Sequence, residues 1–174
     1  MEAGLLLLRV VLGGIMAVHG AQKLFGWFGG HGISGTAGWL EMMGLRPARA
    51  QAAMNGIAEF GGGALLALGL LTPLGAAAIA GVLIVAIATV HWKNGFFNSA
   101  GGYEFNLLII AAALALAFTG PGTISIDHLA GWNLAGPGWG LAALAVTAGS
   151  VLAIRKPLPA PAEEETSTED VPAA

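Results

Sequence analysis

Long apolar segments separated by short polar connections run through most of the chain. A membrane-spanning helix needs about 20 mostly apolar residues. Five segments are candidates for such helices: 4–26, 48–71, 74–92, 105–119 and 136–154. The fourth is short, and Gly136-Pro137-Gly138 weakens the start of the fifth. The pattern predicts an all-α, polytopic membrane helical bundle with a four-helix core and a fifth transmembrane helix.

The first connection contains a helix of a different kind. Residues 34–43 place Trp39 among apolar side chains on one side, and Gly44 supplies a C-terminal stop. We expect this short helix to lie at the membrane interface, with Trp27 and Trp39 as aromatic anchors. Pro47 suits the first turn of the next helix, because a proline there gives up only a backbone donor that is already unpaired.

Composition supports the membrane interpretation. Of the 174 residues 56% are hydrophobic and 10% are charged, and the mean hydropathy of +0.75 is wrong for a water-soluble domain. The chain has no cysteine, so a disulfide, a thiol relay and a thiolate metal site are excluded. A redox role would therefore need a bound molecule or the chemistry of a partner.

The chain divides into three parts. We expect a transmembrane core at 1–128 and the fifth transmembrane helix within 129–156. Residues 157–174 are rich in proline and then in glutamate, a composition typical of a disordered acidic C-terminal tail.

Basic residues predict the orientation of the chain. Six of the seven lie in or beside connections at one face of the bundle: Lys23, Arg46, Arg49, Lys93, Arg155 and Lys156. The positive-inside rule then places the N-terminus outside and the C-terminus in the cytoplasm. Arg9 is the exception, and we expect its side chain to snorkel toward the outer headgroups.

Polar residues within or beside the apolar segments are the candidates for function, because an ionisable group in hydrocarbon costs about 3 kcal/mol. Successive helices alternate in direction, so the end of the first and third helices and the start of the second and fourth lie at the same face. Eight candidate residues should converge there, in the inner leaflet: His19, Gln22, Lys23, Asn55, Glu59, His91, Tyr103 and Glu104.

The polar residues allow two interpretations. In the first, Lys23 pairs with Glu59 or Glu104 in a purely structural network. In the second, they line a pocket for an amphiphilic ligand, and Glu59 and His91 pass protons to it. Haem ligation by His19 and His91 has only the two histidines in its favour, and a metal site that includes Glu59 has as little support. We therefore predict neither haem nor metal.

Four linked motifs resemble the DoxX family of small bacterial membrane proteins. They read HGAQKLFG at 19–26, EFGG at 59–62, HWKNGFF at 91–97 and GGYEF at 101–105, and the resemblance covers about residues 5–128. It implies a four-helix core in the bacterial inner membrane. Relatives are described as a subunit of a thiosulfate:quinone oxidoreductase and as membrane partners of redox-defence enzymes. The residues that the family motifs imply as a site are His19, Gln22, Lys23, Glu59, His91, Tyr103 and Glu104.

The leading hypothesis is a redox-associated inner-membrane protein that binds a quinone or a similar lipid-soluble carrier. Lys23 and His19 would donate hydrogen bonds to the carrier oxygens, with Gln22, Asn55 and Tyr103 beside them. Glu59 would supply protons, and Glu104 and His91 would form the route to the cytoplasm.

Two other functions are compatible with the sequence. One is a non-catalytic anchor or scaffold for a redox or stress-defence partner, and the other is a small-solute transporter, although no inverted repeat supports it. In each case the partners are the lipid bilayer and redox proteins, with no nucleic acid. The substrate, the electron donor and the oligomeric state stay open.

Overall fold

The computed structural model describes residues 1–152, and their regular secondary structure is helical throughout. The α-helices are α1 Glu2–Phe25, α2 Gly32–Met42, α3 Ala48–Leu68, α4 Thr72–Ala86, α5 Glu104–Thr119, α6 Ile126–Leu129 and α7 Pro137–Leu152. Each of the five predicted apolar segments coincides to within a few residues with the start of one of the longer helices, and α2 corresponds to the predicted short helix. The predicted acidic tail at 157–174, together with Arg155 and Lys156, lies outside the described residues.

The last part of the third apolar segment departs from α-helical geometry. The helix that begins at Thr72 continues beyond Ala86 as a π-helical turn, Ile87–His91, and then as a 3-10 turn, Trp92–Asn94. Single π-helical turns in helices are frequently found at functional sites. The π-helical turn Ile87–His91 places His91 near the end of this helical segment.

Helix length separates the apolar helices into two groups. Among the described residues, Glu2–Phe25 and Thr72–Asn94 are long and apolar enough to cross a membrane. Helices α5 and α7 are apolar but have 16 residues each, fewer than the roughly 20 that a full span needs. Helix α3 has 21 residues and carries Arg49 and Glu59 within it. Length and composition thus identify two candidate spanning helices.

Helix α4 lies at the centre of the bundle. It packs against α3, α5 and α7, while α1 packs most extensively on α3. Ten of the 15 residues of α4 are buried, and the core around them includes Leu12, Leu66, Ile79 and Leu116. Helix α2 forms a smaller cluster with α3, in which Ala37 and Leu40 contact Ala48 and Ala52.

Glycines allow α1 and α3 to approach to backbone contact. A Cβ atom at Gly13 would lie 2.5 Å from the carbonyl oxygen of Gly63, and one at Gly20 would lie 2.2 Å from the backbone nitrogen of Phe60. Small residues at such positions let helices gain close packing in a membrane, where no hydrophobic effect drives helices together. The two contacts fix the antiparallel register of α1 and α3.

The prediction that Arg9 snorkels toward outer headgroups is wrong. Its side chain is 2% exposed and lies between α1 and the end of α3. Nη1 donates a hydrogen bond of 2.8 Å to the carbonyl oxygen of Ala67. This carbonyl belongs to the last turn of α3, where intrahelical donors are lacking. Arg9 therefore caps α3 from a neighbouring helix.

Asp127 holds the turn between α3 and α4. Its carboxylate, which is 1% exposed, accepts hydrogen bonds from the backbone N–H groups of Leu71 at 2.7 Å and Thr72 at 3.0 Å, and from Thr72 Oγ1 at 2.7 Å. The backbone N–H of Asp127 donates to the carbonyl oxygen of Gly69 at 2.8 Å. A carboxylate here also faces the positive end of the α4 dipole. The short helix α6 is thereby attached to the bundle.

We expect Gly63→Ala to destabilise the protein by about 2 kcal/mol, because the added methyl group would collide with the backbone of Gly13 and Ala17. Thermal unfolding in detergent would measure this. Gly61→Ala is the matched control, since a Cβ at Gly61 meets nothing within 4 Å. It should leave the melting temperature unchanged or raise it, as alanine favours helix. Equal effects of the two substitutions would contradict the close-contact interpretation.

Asp127→Ala should lower the melting temperature, because three donors in the α3–α4 turn lose their acceptor. A loss of about 2 kcal/mol is expected from leaving buried donors unpaired. The side chain of the next residue, His128, is exposed, so His128→Ala should have little effect. A thermally unchanged Asp127→Ala protein would show that water replaces the carboxylate in this turn.

Candidate functional site

An ion pair with a buried carboxylate joins α1 and α3 near one end of the bundle. Nζ of Lys23, in the last turn of α1, donates a hydrogen bond to Oε1 of Glu59 in the middle of α3. Glu59 is 3% exposed, whereas the Lys23 side chain is 32% exposed. The sequence left Glu59 and Glu104 open as partners of Lys23, and the structure selects Glu59. Opposite charges in contact make the burial of this carboxylate tolerable.

The second oxygen of this carboxylate is not satisfied. Oε2 of Glu59 is buried and has no hydrogen-bond partner among residues 1–152. A buried acceptor without a donor costs about 1–3 kcal/mol. The arrangement therefore stabilises one oxygen of the carboxylate and leaves the other without a hydrogen-bond donor from the described residues.

A cavity of about 710 Å³ adjoins the ion pair. This volume lies within the range of small-molecule and cofactor sites. Most of the wall is apolar, and its residues come chiefly from α2, α3, α4 and α7, with further residues from α1 and from the π-helical turn after α4. Four of the predicted site residues lie in the wall: Lys23, Asn55, Glu59 and His91. Charged, amide and imidazole groups therefore border a largely apolar space.

His91 reaches the cavity from the π-helical turn that follows α4. Nδ1 of its ring lies 2.8 Å from the carbonyl oxygen of Gly101, which also accepts a 3.1 Å hydrogen bond from Asn94 Nδ2. A carbonyl oxygen only accepts, so Nδ1 must be the nitrogen that carries a proton in this contact. Nε2 is left as the nitrogen that exchanges a proton or a hydrogen bond with another group.

Tyr103 and Glu104 stabilise the loop between α4 and α5 and do not line the cavity. The Tyr103 ring stacks on Trp92, with centroids 5.5 Å apart and planes inclined by 14°. Oε1 of Glu104 accepts a 2.8 Å hydrogen bond from the backbone N–H of Asn98. Both side chains thus order the loop whose Gly101 carbonyl contacts His91.

His19 and Gln22 also lie outside the cavity wall. Gln22 Nε2 donates a 3.1 Å hydrogen bond to the carbonyl oxygen of Phe28 and so holds the turn that follows α1. The His19 side chain is exposed. Within residues 1–152, no group of three or more His, Cys, Asp or Glu side chains is arranged to hold a metal ion.

Residues that the sequence did not single out complete the cavity. Its polar contributors include Thr36 of α2, Gln51 of α3 and Ser150 of α7. Helix α7 approaches α4 closely, since a Cβ at Gly81 would lie 2.7 Å from Ser150 Oγ. The one signal in the sequence was the small residue at Gly81, which permits this approach but does not indicate which helix makes it.

Two apolar helices long enough to cross a membrane, an ion pair with a buried carboxylate and a partly polar cavity characterise this helical bundle. The sequence model of the DoxX family matches residues 4–92, and the chain belongs to this family. The matched region includes Lys23, Asn55, Glu59 and His91.

Two relatives are similar to most of the chain. A Bacillus subtilis (strain 168) protein named "Putative oxidoreductase CatD" is 35% identical over 126 residues, which cover 72% of this chain and 86% of the relative. "Inner membrane protein YqjF" of Escherichia coli (strain K12) is 30% identical over 130 residues, covering 74% of this chain and 92% of that protein. No solved structure shows a significant match.

We expect Lys23→Met to destabilise the protein by about 3 kcal/mol, because it leaves the buried Glu59 carboxylate without its counter-charge. Adding Glu59→Gln should restore most of the loss, as both charges are then removed. Thermal unfolding of the two single variants and the double variant would measure the coupling. Lys93→Met, which removes an exposed cation, is the control and should be neutral. Additive effects of Lys23→Met and Glu59→Gln would contradict an energetically coupled pair.

Proposed function

We propose that this protein is a redox-associated protein of the bacterial inner membrane whose cavity binds a quinone or a similar lipid-soluble carrier. The observation that carries the proposal is the largely apolar 710 Å³ cavity with the Lys23–Glu59 pair in its wall. The relatives named as an oxidoreductase and as an inner membrane protein agree with this setting.

The residues in the wall fit the parts of a quinone. A quinone has a flat ring with two oxygen acceptors and an apolar tail. Lys23 uses one of its three N–H donors on Glu59, so two donors are available for a ring oxygen. The Asn55 amide lies in the same wall, while Val82 and Val85 line the apolar part where a tail would pack. His19, a predicted donor, is outside the wall, and we assign the second donor role to Asn55.

Proton exchange is assigned to Glu59 and His91. Both lie in the wall of the cavity, and each has one atom, Oε2 and Nε2 respectively, not engaged by the contacts described above. Glu104 would continue the route toward the cytoplasm through the loop that contacts His91. A bound quinone supplies two-electron, two-proton redox chemistry. We place the electron donor on a partner protein.

We also propose an arrangement in the membrane. In this arrangement α1, α3, α4 and α5 form the four-helix transmembrane core, and α7 adds the fifth transmembrane helix. Lys23, Arg46, Arg49 and Lys93 then lie at the cytoplasmic face, and the N-terminus lies outside. The cavity opens in the inner leaflet, where a lipid-soluble carrier is available.

A non-catalytic anchor for a redox or stress-defence partner is the second candidate function. It is favoured by the Lys23–Glu59 pair itself, because an ion pair between two helices can serve a purely structural role. This function requires no ligand in the cavity. Binding of a quinone therefore separates the two candidates.

Val85→Phe should weaken quinone binding at least about 10-fold, because the larger side chain occupies the apolar part of the cavity. We would purify the protein in mild detergent, identify co-purified quinone by mass spectrometry, and titrate the protein with a short-chain ubiquinone. Ala88→Phe is the matched control, since Ala88 belongs to the same helical segment but is exposed and outside the cavity wall.

Equal binding by the two variants would place any quinone elsewhere. A wild-type protein that neither retains nor binds a quinone would favour the anchor function.

A further inference from the structure

The unsatisfied oxygen of Glu59 indicates which form of the carrier the cavity favours. Resting on the proposed function, we infer that the site selects a head group with a hydrogen-bond donor, so that the reduced quinol binds more tightly than the oxidised quinone. The inference depends on three features of Glu59: its charge, its free acceptor and its position in the cavity wall.

The carboxylate of Glu59 accepts a charge-assisted hydrogen bond from the ammonium group of Lys23. An ionised carboxylate accepts hydrogen bonds and donates none. Any ligand group that bonds directly to Glu59 must therefore bring the hydrogen.

One oxygen of the Glu59 carboxylate is an acceptor without a donor in the described part of the chain. Lys23 Nζ satisfies Oε1, whereas Oε2 is buried with no donor among residues 1–152. The terminal torsion of a glutamate carboxylate is broad, so a small rotation that keeps the Lys23 contact can turn the unsatisfied oxygen toward the cavity that Glu59 lines. A ligand hydroxyl at this wall would supply the missing donor.

The reduced and oxidised forms of the carrier differ in the hydrogen bonds that they can make with the ion pair. A quinol hydroxyl can donate to Glu59 and at the same time accept from Lys23, so both members of the ion pair gain a partner. A quinone oxygen can accept from Lys23, but it leaves the carboxylate unsatisfied and places two acceptors side by side. A hydrogen-bonding site discriminates most strongly against a ligand that leaves one of the buried polar groups of the site without a partner.

The test compares three ligands on the wild-type protein under anaerobic conditions. They are ubiquinone with one isoprenoid unit, its quinol, and the quinol dimethyl ether, which keeps the ring and tail but has no O–H group. Since hydrogen bonds to charged groups are worth about 1.5–3 kcal/mol, the quinol should bind about 10- to 100-fold more tightly than the other two. This comparison requires no variant, so it does not depend on the folding of a mutant.

Glu59→Gln tests the assigned residue. The glutamine amide can donate to a quinone oxygen, so the variant should lose the preference for quinol and bind the quinone at least as well as the wild type does. Glu41→Gln is the control, because Glu41 is exposed on α2 and outside the cavity wall. It should retain the wild-type preference.

The outcomes separate this inference from the proposed function. Wild-type protein that binds quinone as tightly as quinol, or ether as tightly as quinol, would overturn the donor requirement while leaving a carrier site in place. A quinol preference that persists in Glu59→Gln would overturn the assignment to Glu59. Absence of binding by all three ligands would overturn the proposed function itself, and this inference with it.

Discussion

The close contact between α1 and α3 determines where the charged residues of this protein lie. Gly13 meets Gly63 and Gly20 meets Phe60 at distances that leave no room for a Cβ atom. Because the two helices run in opposite directions, this register places Lys23 beside Glu59 at one end and Arg9 beside Ala67 at the other. The ion pair is thus a consequence of backbone packing as well as of charge. A shift of one helical turn would leave a carboxylate buried alone, which is far costlier than the loss of a surface ion pair.

The two ends of the bundle use buried polar groups differently. At the end that holds Arg9, Asp127 satisfies three donors of the α3–α4 turn, and Arg9 satisfies a terminal carbonyl oxygen of α3. These contacts satisfy backbone groups at helix ends, so their role is structural. At the other end, the carboxylate of Glu59 is only half satisfied and borders a cavity. An incomplete polar network is expensive to keep, so its position beside a ligand-sized space is the strongest argument for a binding role.

The sequence predicted the positions of the helices and the end of the bundle at which Lys23, Glu59 and His91 lie, because both follow from apolar length and from the alternating direction of the helices. It did not predict which side of each helix faces the cavity. Lys23, Asn55, Glu59 and His91 lie in the wall, whereas Tyr103 and Glu104 order a loop at the same end. The rotation of each helix about its axis depends on close contacts such as that of Gly20 with Phe60, and a single sequence does not identify such pairs. For the same reason the burial of Arg9 was missed, since its acceptor is a backbone carbonyl oxygen.

The region that matches the family model and helix α7 contribute differently to the wall of the cavity. Four hydrogen-bonding residues of its wall, Lys23, Asn55, Glu59 and His91, fall within the residues that match the DoxX family model. Val146 and Ser150 of α7 lie beyond that match, and they meet α4 where Gly81 permits a close approach. Hydrogen bonding to a ligand head group depends on exact placement of a few polar atoms, whereas an apolar wall needs only suitable volume and shape. These four groups therefore belong to the part of the chain shared with the family, and α7 can adjust the size of the apolar space without disturbing them.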